Sequence, residues 1–294
     1  MKKCGTLIAL SLTAAALTSC TVPGTMPKDS AASASETASL PSPTLDGDTP
    51  APDTASESAP LDLESVVQRV QAQYPGEIGI AISDGTQETT GGSTEAVPAW
   101  STSKVPLAIV ALRNDPQQAS AVSAAITQSD NASAEQLWAS LGDPASAAQA
   151  VAQVLSEGGV NATVQSQVVR PGFSSFGQTL LSPAEEARFA ARLSCLAGAE
   201  SVLGHMKNVA GDQSYGLGTL PDAAFKGGWG PTPDGGYEAR QLGTVQADGG
   251  RVAIALWVRP EAGDYGTAQQ ALTALASELK PLLAQATPIA NGCA

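Results

Sequence analysis

Apolar residues recur at helical spacing at Leu61, Val66, Val67 and Val70, with Asp62 and Glu64 in the first turn and Pro75-Gly76 as a stop, so the pattern predicts a helix over Leu61 to Tyr74. Ile78, Ile80 and Ile82 then alternate with small residues and end at Asp84-Gly85, the signature of a strand entering a turn. Gly91-Gly92 marks a further break. From Ser101 to about Leu203 the chain is rich in Ala, Leu and Gln and carries almost no strand pattern, which predicts a long helical block. Strands follow at Ala223 to Gly228, Tyr237 to Val245 and Val252 to Val258, separated by Pro- and Gly-rich turns, and a last amphipathic helix runs from about Thr267 to Ala284. A sheet whose strands come from both ends of the chain closes by pairing those ends. The expectation is therefore an α/β (α+β) fold in which an antiparallel sheet of about five strands is flanked by terminal helices, with an all-helical insert over about 101–215.

The residues before this pattern have a different character. Lys2 and Lys3 precede an apolar run from Leu7 to Leu17, which stops at Leu17-Thr18-Ser19-Cys20. A basic start, a short apolar core and small residues ahead of a cleavage point describe a secretory signal, too short to span a membrane as a helix. Its Leu-Thr-Ser-Cys ending resembles the lipobox of bacterial lipoproteins, which implies removal of residues 1–19 and a lipid on Cys20. In residues 21–60, 27 of 40 positions are Ser, Thr, Ala or Pro and none is aromatic, a composition that buries too little apolar surface to offset chain entropy. Residues 20–60 read as a tether and residues 61–294 as the folded unit, exported and held by its lipid at the outer face of the cytoplasmic membrane or cell envelope.

Charge and composition narrow the chemistry. The 294-residue chain carries 15 Lys and Arg against 28 Asp and Glu, a net charge of −13, so no basic face is available for a phosphate backbone and nucleic acid is excluded as a partner. One histidine, His205, cannot build a multi-histidine metal site, and no cofactor is called for. With Cys4 removed and Cys20 lipidated, Cys195 and Cys293 remain, and export favours their pairing as a disulfide.

Three short motifs fall at the borders of the predicted elements. Ser101-Thr102-Ser103-Lys104 opens a helix, so its serine and lysine lie on one face about one turn apart; a lysine of lowered pKa there can take the serine proton. Ser129-Asp130-Asn131 offers a second hydroxyl as a proton relay and an amide to orient lysine and substrate, although the same triplet is also ordinary turn and capping chemistry. Lys226-Gly227-Gly228 ends a strand, where a lysine supplies positive charge and glycines let a ligand approach the backbone.

In this order and spacing the motifs resemble Ser-x-x-Lys, Ser-Asp-Asn and Lys-Thr-Gly of the class A β-lactamases and penicillin-binding proteins, over about residues 61–290. The resemblance implies the β-lactamase/DD-peptidase-like fold and a serine acyl-transfer site. Ser101 is then the nucleophile, Lys104 its base, Ser129 the relay, Asn131 an orienter and Lys226 a carboxylate or relay partner. The backbone N–H groups of Ser101 and Trp229 form the oxyanion hole. Gly227, Gly228 and Arg240 are expected to line the substrate pocket, which takes a small β-lactam or a cell-wall peptide, and a monomer is expected.

Two departures set the alternatives. Gly227 stands where the family has a hydroxyl residue, and the stretch from Val164 to Gln178, where class A enzymes carry a deacylating glutamate, has no acid; none occurs between Glu157 and Glu185. The favoured reading is an acyl-enzyme on Ser101 that hydrolyses slowly. An efficient class A β-lactamase and a catalytically inactive binding module of the same fold are the competing readings.

Overall fold

The computed structural model describes residues 61–290 and Cys293; Cys20 and the signal and tether segments lie outside the described residues. Helix α1 (Leu63–Gln71) opens where Asp62 accepts a hydrogen bond from Ser65 N at 3.0 Å. Strands β1 (Gly76–Ser83), β2 (Glu88–Gly92), β5 (Ala224–Pro231), β6 (Tyr237–Ala247) and β7 (Gly250–Pro260) form one antiparallel sheet in the order β2-β1-β7-β6-β5. Pairing of β1 with β7, from Gly76 opposite Pro260 to Ser83 opposite Ala253, joins the two ends of the chain as the sequence pattern requires.

Alternation within the strands sets both faces of the sheet. Ile78, Ile80, Ile82, Val252, Ile254, Leu256 and Val258 point to one side, where they pack with α1 and with α8 (Tyr265–Leu279) through Val67, Leu272 and Leu275. On the other side stand Ala81 and Ala255, small enough for α6 (Pro183–Arg192) to lie close through Ala187. The remaining helices, α2 (Lys104–Asn114), α3 (Ala119–Thr127), α4 (Asn131–Ser140), α5 (Pro144–Glu157) and α7 (Ala199–Met206), share a second core built around Leu107, Ile109, Ile126, Leu137 and Val154.

Several boundaries differ from the sequence pattern, each for a physical reason. The Gly91-Gly92 pair, read as a break, completes β2; a Cβ at Gly91 would lie 2.6 Å from the Leu63 backbone, so glycine there admits the start of α1. The block from Ser101 to Leu203 is not continuously helical, because residues 158–175 form an extended loop and β4 (Leu180–Leu181) pairs with β3 (Val97–Pro98). The third motif's strand continues to Pro231, and α8 passes into a 3₁₀ turn, Lys280–Gln285, at Pro281. Cys195 and Cys293 are bonded, with Cα atoms 5.2 Å apart, which ties the C-terminal tail to the turn after α6.

Candidate active site

Ser101 lies in a 3₁₀ turn, Trp100–Ser103, that runs directly into α2. The turn is entered through Trp100 at φ +51°, a left-handed conformation that costs a non-glycine residue on the order of 1–3 kcal/mol. Its surroundings hold it there: the indole Nε1 donates to Glu238 Oε1 at 2.9 Å, and the ring meets Phe173 edge-on at 5.3 Å. Ser101, half-buried, is left facing a cavity of about 480 Å3 that Ser129, Asn131 and Trp229 also border. Another cavity, about 640 Å3, is lined by Arg113, Arg192 and the disulfide and contains none of the motif residues.

Behind Ser101 the two lysines converge on one hydroxyl. Lys104 Nζ donates to Ser129 O at 2.5 Å and to Asn131 Oδ1 at 2.7 Å, and lies 3.4 Å from Ser129 Oγ. Lys226 Nζ donates to Ser129 Oγ at 2.9 Å and to Gly227 O at 2.8 Å. Both lysines are buried. Burial pulls Lys104 down to about 8 against the opposing pull of Asp130 and Glu135, and burial together with the neighbouring Lys104 takes Lys226 well below the ordinary lysine range. Ser129 is itself held at φ +56°, with Asp130 capping α4 through Ser133 N at 2.7 Å. The arrangement is a chain of exchangeable protons running Lys104, Ser129, Lys226. Although the sequence puts Ser101 and Lys104 one turn apart on one face, no hydrogen bond joins them; the ammonium is turned to Ser129 and Asn131.

Glycine at 228 is required by approach. A Cβ there would stand 2.7 Å from Ala99 O, 2.9 Å from Ser101 N and 3.0 Å from Thr102 N, so β5 presses directly on the turn carrying Ser101. Trp229 follows in β5 and borders the same cavity, with its ring stacked on Tyr265 at a centroid distance of 5.2 Å. At Gly227, by contrast, an added Cβ would meet nothing closer than Tyr215 Oη at 3.6 Å, so the missing hydroxyl is not excluded by space.

This fold belongs to a known group. Solved structures with closely similar architecture include the TLA-3 extended-spectrum beta-lactamase, 14% identical over 76% of this chain and 98% of that one with a TM-score of 0.62. A class A beta-lactamase representative from Bacteroides cellulosilyticus is 13% identical over 76% and 99%, with a TM-score of 0.62. A beta lactamase from Xanthomonas campestris pv. campestris is 18% identical over 75% and 97%, with a TM-score of 0.57. The chain has the class A β-lactamase-like fold. No protein-family model matches the sequence, and no curated protein does.

Within this β-lactamase-like frame three residues expected in the pocket wall are not among those bordering the cavity: Gly227 and Gly228, buried in β5 against Tyr215 and the turn of Ser101, and Arg240. Arg240, anticipated in the pocket wall, is fully buried and spends its guanidinium inside the fold. Nε and Nη2 hold Glu186 Oε2 at 2.9 and 2.8 Å, Nη1 donates to Val97 O and Pro98 O at 2.8 and 3.0 Å, and Nη2 donates to Leu181 O at 2.9 Å. Glu186 also receives Thr102 Oγ1, so the pair ties the turn carrying Ser101 to the sheet instead of meeting a ligand.

Other residues of the site are visible only in three dimensions. Gln178 Oε1 accepts from Arg170 N at 2.6 Å while its Nε2 reaches three loop carbonyls, and Arg170 Nη1 donates to Pro231 O at 2.6 Å; together they fasten the acid-free loop across the cavity mouth. Glu135 borders the cavity from α4. Its signal in the sequence was its position four residues after Asn131, on the same helical face; Arg170 and Gln178 gave none. Among the described residues there is no cluster of three or more His, Cys, Asp or Glu side chains able to hold a metal, and no helix long and apolar enough to cross a membrane.

Proposed function

We propose that this protein is an exported serine acyltransferase or hydrolase that forms an acyl-enzyme on Ser101 with β-lactams or peptidoglycan peptides. The observation that carries the reading is a half-buried Ser101 facing a 480 Å3 cavity with Lys104, Ser129 and Lys226 linked behind it. Ser101 Oγ attacks the carbonyl and its proton passes to Lys104 in the neutral form, which a pKa of about 8 makes accessible. The N–H groups of Ser101 and Trp229 take the oxyanion, and Ser129, resupplied by the lysines, protonates the departing nitrogen as the C–N bond breaks. Hydrolysis of the ester is slower than acylation, because the loop from Val164 to Gln178 brings no carboxylate and any base must come from outside it.

In the same reading Cys20 carries the lipid that holds the mature chain at the membrane, residues 20–60 form its tether, and the enzyme works as a monomer; Cys20→Ala releases it to the soluble fraction, and equal fractionation of the two forms refutes the anchor. A binding module of the same fold is the second reading, favoured by the turn of Lys104 away from Ser101 and by Gly227. Mass spectrometry after incubation with a penicillin separates them. The acyl-enzyme reading expects a single adduct on Ser101 that is absent in Ser101→Ala; no adduct at millimolar ligand over hours leaves the binding module.

A further inference from the structure

The cavity beside Ser101 holds a carboxylate that the loop does not supply. Asn131 and Glu135 stand at i and i+4 on α4 and so share one face, with Cβ atoms about 6 Å apart. Asn131 is turned inward to Lys104 Nζ at 2.7 Å, and one turn farther along Glu135 borders the cavity that Ser101 and Ser129 border. No other acid among the described residues borders it. Among the described residues the Glu135 carboxylate enters no hydrogen bond or ion pair, which leaves both oxygens to water. Glu135 is exposed on its outer side, and the covering of the rest pushes its carboxyl above the ordinary glutamate range against the pull of Lys104, making it a stronger base than a free side chain. From the loop the cavity is bordered by Val168, Gly172, Phe173 and Ser174, none of which carries a carboxylate or other base.

We propose that Glu135 is the general base that activates water for release of the acyl group from Ser101. The inference rests on the acyl-enzyme reading above. A water oxygen adds to the ester carbonyl while Glu135 takes one of its protons, giving a tetrahedral oxyanion. The bond from carbon to Ser101 Oγ then breaks, the serine oxygen takes back the proton that Glu135 removed from water, and the acyl group leaves as a carboxylic acid. The base is thus carried on a helix, one turn from the residue that orients Lys104, while the loop provides cover without a base.

The test separates acylation from release. Parent, Glu135→Gln and Ser101→Ala proteins are loaded with a fluorescent penicillin, freed of excess reagent, and followed by intact-mass spectrometry. At pH 9, where Lys104 is largely neutral in both proteins, acylation of Glu135→Gln within about twofold of the parent, with adduct lifetime longer by a factor on the order of 10²–10⁴, is the expected result. Hydroxylamine, a nucleophile that needs no base, should release the adduct from both at the same rate. Equal lifetimes in parent and Glu135→Gln overturn the role of Glu135 while leaving the acyl-enzyme intact. Equal slowing toward hydroxylamine also overturns it, since the effect is then steric. Absence of an adduct on the parent overturns the acyl-enzyme reading itself and the inference with it.

Discussion

Arg240→Met removes the cation from a carboxylate buried at 1% exposure and leaves three backbone carbonyls, at Val97, Pro98 and Leu181, without their donor. Breaking a buried ion pair from one side costs about 3–5 kcal/mol, chiefly because the remaining charge is stranded. That is a large share of a typical domain stability of about 5–15 kcal/mol. At about 2–4 °C per kcal/mol for a domain of this size, the melting temperature falls by about 6–20 °C at pH 7. Burial already raises the Glu186 carboxyl, with Arg240 opposing, and removal of Arg240 raises it further. A folded-state pKa above the unfolded value of about 4.3 means that the group's contribution is fully present below that pH and is lost as pH rises through the folded pKa. The gap between parent and variant therefore widens from pH 4.5 to pH 7.5. Adding Glu186→Leu to Arg240→Met restores most of the loss, since an apolar pair of similar volume strands no charge. Circular-dichroism melts across pH measure all three. A variant melting within about 2 °C of the parent yet impaired in ligand binding would return Arg240 to the pocket wall and refute the structural assignment.

The acylation rate of Ser101 rises with pH and levels off above a midpoint near 8, because Lys104 must shed its proton to act as base; a stopped-flow pH profile with a chromogenic cephalosporin reads it, and a flat profile from pH 6 to 9 excludes Lys104 from that role. Gly227→Thr leaves the melting temperature nearly unchanged, since its Cβ meets nothing nearer than 3.6 Å, and accelerates acylation by carboxylate-bearing β-lactams more than by neutral esters; a loss of folding would show that the space is not free. Gly228→Ala, whose Cβ would stand 2.9 Å from Ser101 N, slows acylation by at least about tenfold, the measure being adduct formation at fixed time. Reduction of Cys195–Cys293, separated by 98 residues, removes about 4–5 kcal/mol of chain-entropy stabilisation and lowers the melting temperature by about 8–20 °C; two alkylatable thiols in the unreduced, denatured protein would dispose of the pairing.

Alternation of Ile78, Ile80 and Ile82 with glycine and alanine, the Pro- and Gly-rich turns between the last three strands and the helical patterns at both ends determined the sheet, its closure through β1 and β7 and the helices on its first face, because periodicity is a local property that burial must respect. The three motifs were legible for a related reason: each carries its chemistry within four residues. Where the motifs meet was decided by tertiary structure alone. Ser129 receives Lys104 and Lys226 from elements 25 and 97 residues away, and no local pattern encodes a contact of that reach. Burial divided the residues that the sequence could only nominate. Arg240 was a cation near a motif, and only the fold showed it enclosed with Glu186 and three carbonyls. Glu135 was one acid among 28, exposed like most of them, and only the cavity it borders set it apart. A charge's meaning depends on the dielectric and partners around it, and these exist only after the chain has packed.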